Sequence, residues 1–207
     1  MSLRSDASRW GAIAKFLHWI MALGILGTGI LGLLMTEMKP SMSKISVYAL
    51  HKSIGLTLLA LFLLRLLWRF FDGRPRDLPS PRWQQLAAHA THGMLYLLIA
   101  ALPLTGWWFN SAHGYPLQWF KLFNLPALGA KDEATANLAH ALHEYGFWLL
   151  LLVLVVHVGA ALKHHVFDHD DVLRRMWPFA RLHQTPAGSP TASGPTNPGH
   201  TTQGDTP

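Results

Sequence analysis

Residues Leu142–Leu162 read LHEYGFWLLLLVLVVHVGAAL, and the fold turns on this stretch. It is apolar throughout most of its length and long enough to cross a bilayer, which takes about 20 residues. It also carries two histidines, His143 and His157, fourteen residues apart. At about 100° per residue that spacing is nearly four full turns, so both imidazoles share one helix face, roughly 21 Å apart along the axis. An ionisable side chain inside lipid is costly and marks function. Two on one face, one near each end, predict two stacked sites and require partners on other spans.

The bulk composition agrees with a membrane chain. Of 207 residues, 50% are hydrophobic and 14% charged, against about 25% charged in soluble domains. Mean hydropathy is +0.20 despite a polar C-terminal stretch. The expected class is an all-α integral membrane protein. The cysteine count is zero, which excludes disulfides, thiolate-ligated haem, cysteine-ligated iron–sulfur clusters and c-type haem attachment. A metal must then sit on His, Met or carboxylate, and there are 13 His. The net charge of +6 comes from Lys and Arg outside the apolar runs. It reads as membrane topology, not as nucleic-acid binding.

Four spans are expected, at about Gly11–Met35, Val47–Phe71, Leu86–Phe109 and from near Asn137 to Lys163. The first follows a polar segment, 1–10, and reads as a retained helix, not a signal peptide. Its glycines Gly24, Gly27, Gly29 and Gly32 suit close packing against a helix or a flat cofactor. Between the third and fourth spans, Pro116–Phe123 mixes aromatics with one Lys and predicts a short interfacial helix, with an aromatic belt on an irregular loop as the alternative. The membrane domain is placed at 11–182. Residues 183–207 are rich in Pro, Gly, Ser and Thr and read as a disordered tail. Arg74, Arg76 and Arg82 make the loop after the second span basic, and the segments flanking the bundle are basic too. The expectation is a four-transmembrane-helix bundle with both termini cytoplasmic.

Depth then pairs the histidines. His18 in span 1 and His157 in span 4 lie near the inner side; His51 in span 2 and His143 in span 4 lie near the outer side. Facing imidazoles at equal depth are what axial ligation of a haem iron from both sides requires. A lone intramembrane His is also a common packing or hydrogen-bonding residue, and a closed zinc site is a further alternative, though it usually needs four ligands. His89 and His92 in span 3 lie at inner depth and compete as ligands; headgroup-level or haem-edge positions are expected for them. Arg65, Arg69 and Arg174 suit the carboxylates of an inner haem, and Lys52 and Lys44 those of an outer one. Simple snorkelling to the interface is the alternative. Lys44, Lys52 and Lys121 would make an outer face attractive to a small anion. His164, with Trp19 beside His18, is the candidate quinone site, His164 as proton relay.

Several segments resemble the bacterial cytochrome b561 family: FLHWI around His18, ALHKSIGL around His51, LLRLLWRF with Arg65 and Arg69, AHATHGMLYLLIAALPLTGWW in span 3, and the His143–His157 spacing followed by LKHHVF and LRRMWP. The resemblance covers nearly all of residues 10–180. It implies a four-helix bundle of the bacterial inner membrane with two haem b groups, bis-His ligated through their irons by His18, His51, His143 and His157. It further implies electron exchange with the quinone pool. The group nearest this layout includes superoxide oxidases, which take an electron from superoxide at the outer face and reduce ubiquinone; Lys52 and His164 would then serve catalysis. The other implied role is a b-type subunit or anchor that passes electrons between a dehydrogenase- or hydrogenase-like partner and quinone. A homodimer is left open.

Overall fold

The computed structural model describes residues 2–76 and 80–178. The expected tail at 183–207 lies outside the described residues. Four long helices carry the fold: α1 (Ala12–Glu37), α2 (Met42–Phe71), α3 (Arg82–Ala112) and α4 (Glu133–Val166). All four are long and apolar enough to span a membrane.

The helices outrun their apolar stretches because polar caps extend them. Ser41 caps α2 by accepting from the Lys44 amide at 3.1 Å. Asp132 caps α4 by accepting from the Thr135 amide at 2.7 Å, so α4 starts before the first apolar turn. Each cap satisfies an amide that the first turn leaves without a partner. At 34 residues, α4 is roughly 51 Å long, well beyond the ~30 Å hydrocarbon core.

Chain neighbours pack as an up-and-down bundle, α1 on α2, α2 on α3 and, most extensively, α3 on α4. Neither α1 nor α2 makes an extensive backbone approach to α4. Leu58 of α2 packs directly onto α1 at Gly24, where a Cβ would stand 2.7 Å from Leu58 Cδ2. Leu95, Leu98 and Leu150 form a buried cluster, with Ile25, Ile99, Leu102 and Val153 against it. Leu150 lies seven residues from both His143 and His157, so this apolar layer separates the two histidine levels.

One end of the bundle gathers the N-terminal segment, the α2–α3 connection and α5 (Val172–Met176). The Ser5 amide donates to Asp72 at 2.8 Å, the Arg76 amide to the Ala7 carbonyl at 2.9 Å, and Arg175 Nη1 to the Arg76 carbonyl at 2.6 Å. This end is called inner below, after the basic-loop expectation, and the opposite end outer.

The expected interfacial helix at Pro116–Phe123 is not formed. The segment is a two-stranded antiparallel hairpin, β1 (Leu117–Trp119) and β2 (Phe123–Leu125), with Leu117 opposite Leu125 and Trp119 opposite Phe123. Phe120 (φ 45°) and Lys121 (φ 62°) occupy the turn, and the Leu122 amide donates to the Trp119 carbonyl at 2.9 Å. Positive φ at both central residues is the geometry whose twist matches the strands. Eight residues that begin with a proline are too few to hold an isolated helix, whereas the Trp119–Phe123 pair, with centroids 5.4 Å apart, is a stabilising cross-strand contact.

Candidate functional site

At the outer level, His51 on α2 faces His143 on α4, with ring centroids 6.2 Å apart. His51 Nδ1 lies 3.2 Å from the Thr28 carbonyl and His143 Nδ1 lies 2.9 Å from the Leu102 carbonyl. A carbonyl only accepts, so each Nδ1 carries the proton and donates it, leaving Nε2 with a free lone pair. The Thr105 hydroxyl also lies 3.2 Å from His143 Nδ1. Glycine makes room for both rings. A Cβ on Gly32 would stand 3.2 Å from His51 Cε1, and one on Gly106 3.2 Å from His143 Cε1.

The hairpin roofs this level. Ser53, fully buried, accepts from the Phe120 amide at 2.9 Å and donates to the Ala49 carbonyl at 2.8 Å. Trp119 Nε1 donates to the Thr57 hydroxyl at 3.0 Å. Lys52, half-buried, donates to Asn110 Oδ1 at 3.0 Å, and the buried Asn110 amide donates to the Tyr115 carbonyl at 2.7 Å. Of the other outer lysines, Lys44 is engaged by the Met38 carbonyl at 2.8 Å, and Lys121 is exposed at the hairpin turn.

At the inner level, His18 on α1 and His157 on α4 have ring centroids 6.4 Å apart. His92 on α3 comes closer still to His157, at 5.3 Å, so the structure brings it into the cluster itself. His89 is exposed and bonds back to the Gln85 carbonyl at 2.7 Å. Arg65 Nη1 donates to the Ala14 carbonyl at 3.1 Å, one helical turn before His18, and Arg69 lies over the Trp10 ring at 5.4 Å. Arg174, on α5, pairs with Asp171 at 3.7 Å.

Trp19 packs edge-on to His18 at 5.5 Å, but its N–H donates to the Met176 carbonyl at 3.0 Å and its ring meets Trp177 at 5.3 Å. His164 Nδ1 sits between Asp170 at 2.7 Å and Asp168 at 2.9 Å. Lys163 donates to Asp168 at 2.7 Å, and that bond holds the Asp168 carboxyl below its ordinary range. The Trp19 N–H and His164 Nδ1 are thus committed to tying the segment after α4 onto the bundle.

Sequence reasoning did not find the Thr28 and Leu102 carbonyls, Thr105, Gly106, Ser53 or Asn110. Backbone acceptors leave no trace in residue identity. Gly106, in a helix three residues after Pro103, is the one readable signal.

Fold and site together define a class: a four-helix membrane bundle with imidazoles facing one another at two depths. Residues 9–179 match the family model described as Prokaryotic cytochrome b561, and the chain belongs to that family. It is 37% identical to "Cytochrome b561 homolog 2" of Escherichia coli (strain K12), over 85% of this chain and 95% of the relative. It is 29% identical to "Cytochrome b561 homolog 1" of the same organism, over 83% and 98%. It is also 29% identical to the "Probable superoxide oxidase CybB" of Yersinia pestis, over 80% and 93%. The chain is a multi-pass protein of the bacterial inner membrane, in a family of membrane electron-transfer proteins carrying b-type haem.

The residues present fit such a group. Imidazoles on opposite faces of one metal, with metal–nitrogen bonds of about 2 Å, have centroids about 6 Å apart, close to both separations seen. The outer Nδ1 atoms are already hydrogen-bonded, which aims Nε2 inward, the usual orientation of a ligating His. The helices carrying each pair do not close-pack, which leaves width for a flat ring.

Proposed function

We propose that the protein is a di-haem cytochrome b that oxidises superoxide at its outer end and reduces ubiquinone at its inner end. The observation that carries this reading is the pair of facing imidazole sets, 6.2 and 6.4 Å apart, on helix pairs that stay open to one another. His51 and His143 would hold the outer haem, and His18 and His157 the inner one. Haem, when bound, supplies reversible one-electron chemistry.

The chain's own groups would do the rest. Thr28 and Leu102 fix the tautomer of the outer imidazoles. His51 and His143, if both hold the outer group, would leave its metal no open position, and the group would then supply electron transfer without binding oxygen. Lys52, the half-buried cation one residue from His51, favours approach of an anion. Arg65 and Arg69 offer positive charge to the inner haem carboxylates, with Arg174 further out on α5. Two superoxide anions each give up one electron and become dioxygen; one quinone takes both electrons and two protons and becomes quinol.

The test is purified protein with a full haem supply. Two haems per chain, and quinol formation driven by superoxide alone, are expected. Two haems with no superoxide-driven turnover would leave the role of an electron-carrying subunit for a soluble dehydrogenase-like partner. A colourless preparation would end the reading.

A further inference from the structure

The two histidine levels differ in what their ring nitrogens touch. At the outer level both rings are hydrogen-bonded, His51 Nδ1 to the Thr28 carbonyl at 3.2 Å and His143 Nδ1 to the Leu102 carbonyl at 2.9 Å. His143 has a further acceptor. The Thr105 hydroxyl donates to the same Leu102 carbonyl at 2.9 Å, so its hydrogen is spent there, and its oxygen lies 3.2 Å from His143 Nδ1 as an acceptor. At the inner level His18 lies against the rings of Trp19 and His157, and His157 against those of His18 and His92. Among the described residues no ring nitrogen of His18, His92 or His157 is hydrogen-bonded. Fixed charge does not separate the levels, since each has cations: Lys52 beside His51, and Arg65 and Arg69 on the inner turns of α2.

An imidazole that donates its Nδ1–H is a more basic, more electron-rich ligand through Nε2. Such a ligand favours the oxidised state of the iron it holds, and hydrogen bonding around the ligands is one lever by which a protein sets a haem's reduction potential. We propose that the outer haem site has the lower reduction potential of the two, set by the Nδ1 bonds of His51 and His143, and that Thr105 is a positioning residue that lowers it further through His143. The inference rests on the ligand assignment and the superoxide-to-quinone reading above, and it gives that reading a direction. Each superoxide anion gives one electron to the lower-potential level and leaves as dioxygen. The electron moves downhill to the inner level, where two electrons and two protons convert one quinone to quinol. The same bias opposes return of electrons from quinol to the outer face.

The test is a spectroelectrochemical titration of full-length, haem-loaded protein. Two components of different midpoint potential are expected in the wild type. His18→Ala, which leaves the outer site, should titrate at the lower of the two, and His143→Ala at the higher. Thr105→Val keeps the β-branched shape and removes the hydroxyl. It should raise the lower component alone, with two haems still bound, and Thr105→Ser should keep the wild-type value. A single wild-type potential, or a His18→Ala protein that titrates at the higher one, would overturn the order. An unmoved lower component, a shift of the higher one, or loss of a haem in Thr105→Val would overturn the part given to Thr105, and the two histidine variants would still decide the order. A wild type holding one haem or none would instead sink the ligand assignment. Two haems in the expected order without superoxide-driven quinol formation would sink the superoxide reading and leave the order standing.

Discussion

His51 and His143 are held by the same device on two different helices. Each donates through Nδ1 to a carbonyl of the neighbouring helix, Thr28 on α1 or Leu102 on α3. Each lies against a glycine four residues after that carbonyl, Gly32 or Gly106. Four residues is one helical turn, so carbonyl and glycine share a face, and the absent Cβ lets the imidazole come close enough to bond. The orientation of the outer pair is therefore written into α1 and α3 as much as into α2 and α4.

Replacing Gly106 or Gly32 by Ala should disturb the outer pair selectively. The new methyl would press on the ring at 3.2 Å, and forcing the neighbour aside costs about 1–3 kcal/mol in a packed interior. Weaker retention of one haem of two, with a shifted paramagnetic-resonance signal, is expected from either variant. Gly27→Ala is the control, since a Cβ there meets nothing within 4 Å. Normal outer-haem spectra in both Gly106→Ala and Gly32→Ala would show that the device does not position the ligands.

Single-histidine variants separate the two levels. His51→Ala or His143→Ala should lose one haem and keep the other, because the Leu150 layer divides the interior. His89→Ala should lose none, its ring being exposed and bonded to its own helix. The inner level is the sharper case, since His92 lies nearer to His157 than His18 does. Retention of both haems in His92→Ala and loss of the inner one in His18→Ala are expected, read from haem stoichiometry; the reverse pattern would make His92 the ligand.

Four spans, their order and the equal depth of the histidine pairs were legible in the sequence, because lipid imposes length and apolarity on every span and makes each buried imidazole conspicuous. The hairpin was not, since eight residues of mixed aromatics satisfy an interfacial helix and a turn-closed ribbon equally well. What decides for the ribbon is Ser53, whose hydroxyl meets the Phe120 amide across 67 residues of chain. Trp19 and His164 looked like free polar groups near a cofactor. Their partners, the Met176 carbonyl and the two aspartates, depend on how the chain folds back after α4.

Ser53→Ala should loosen the roof. The substitution removes the acceptor of the Phe120 amide in a part-buried hydrogen bond, and a typical bond of that kind contributes about 0.5–1.5 kcal/mol. Faster hydrogen exchange is expected across Leu117–Leu125, with four helices intact by circular dichroism. Unchanged exchange in the hairpin would mean that Trp119 on Thr57 suffices to dock it.

Acid should release the N-terminal turn before it touches the bundle. The Asp6 carboxylate accepts from the Ser8 hydroxyl at 2.6 Å and from the Ser8 and Arg9 amides. The Ser8 bonds lead in lowering its pKa from 3.8 to about 2. A depressed carboxylate pKa stabilises the folded turn above pH 3.8, and that stabilisation fades as pH falls towards 2. Amide protection at Ser8 and Arg9 should drop across this window, and Asp6→Asn should remove the dependence. Protection that is flat in the wild type between pH 4 and pH 2 would contradict the assignment.

Lys52 gives the most direct reading of the outer face. Its ammonium is half-buried beside His51 and held by Asn110 at 3.0 Å, so it is a fixed charge, not a swinging one. Lys52→Gln keeps a side-chain donor for Asn110 and removes the charge. Capture of superoxide should slow by roughly tenfold at low salt, the lower end of what electrostatic focusing supplies. Because screening acts over about 10 Å at 0.1 M ionic strength, the wild-type rate should fall as salt rises, and the variant's should fall less. Oxidation of the reduced protein by quinone, at the other end of the bundle, should not change. Equal salt slopes in wild type and variant would remove Lys52 from anion capture and leave it as a strut between α2 and the end of α3.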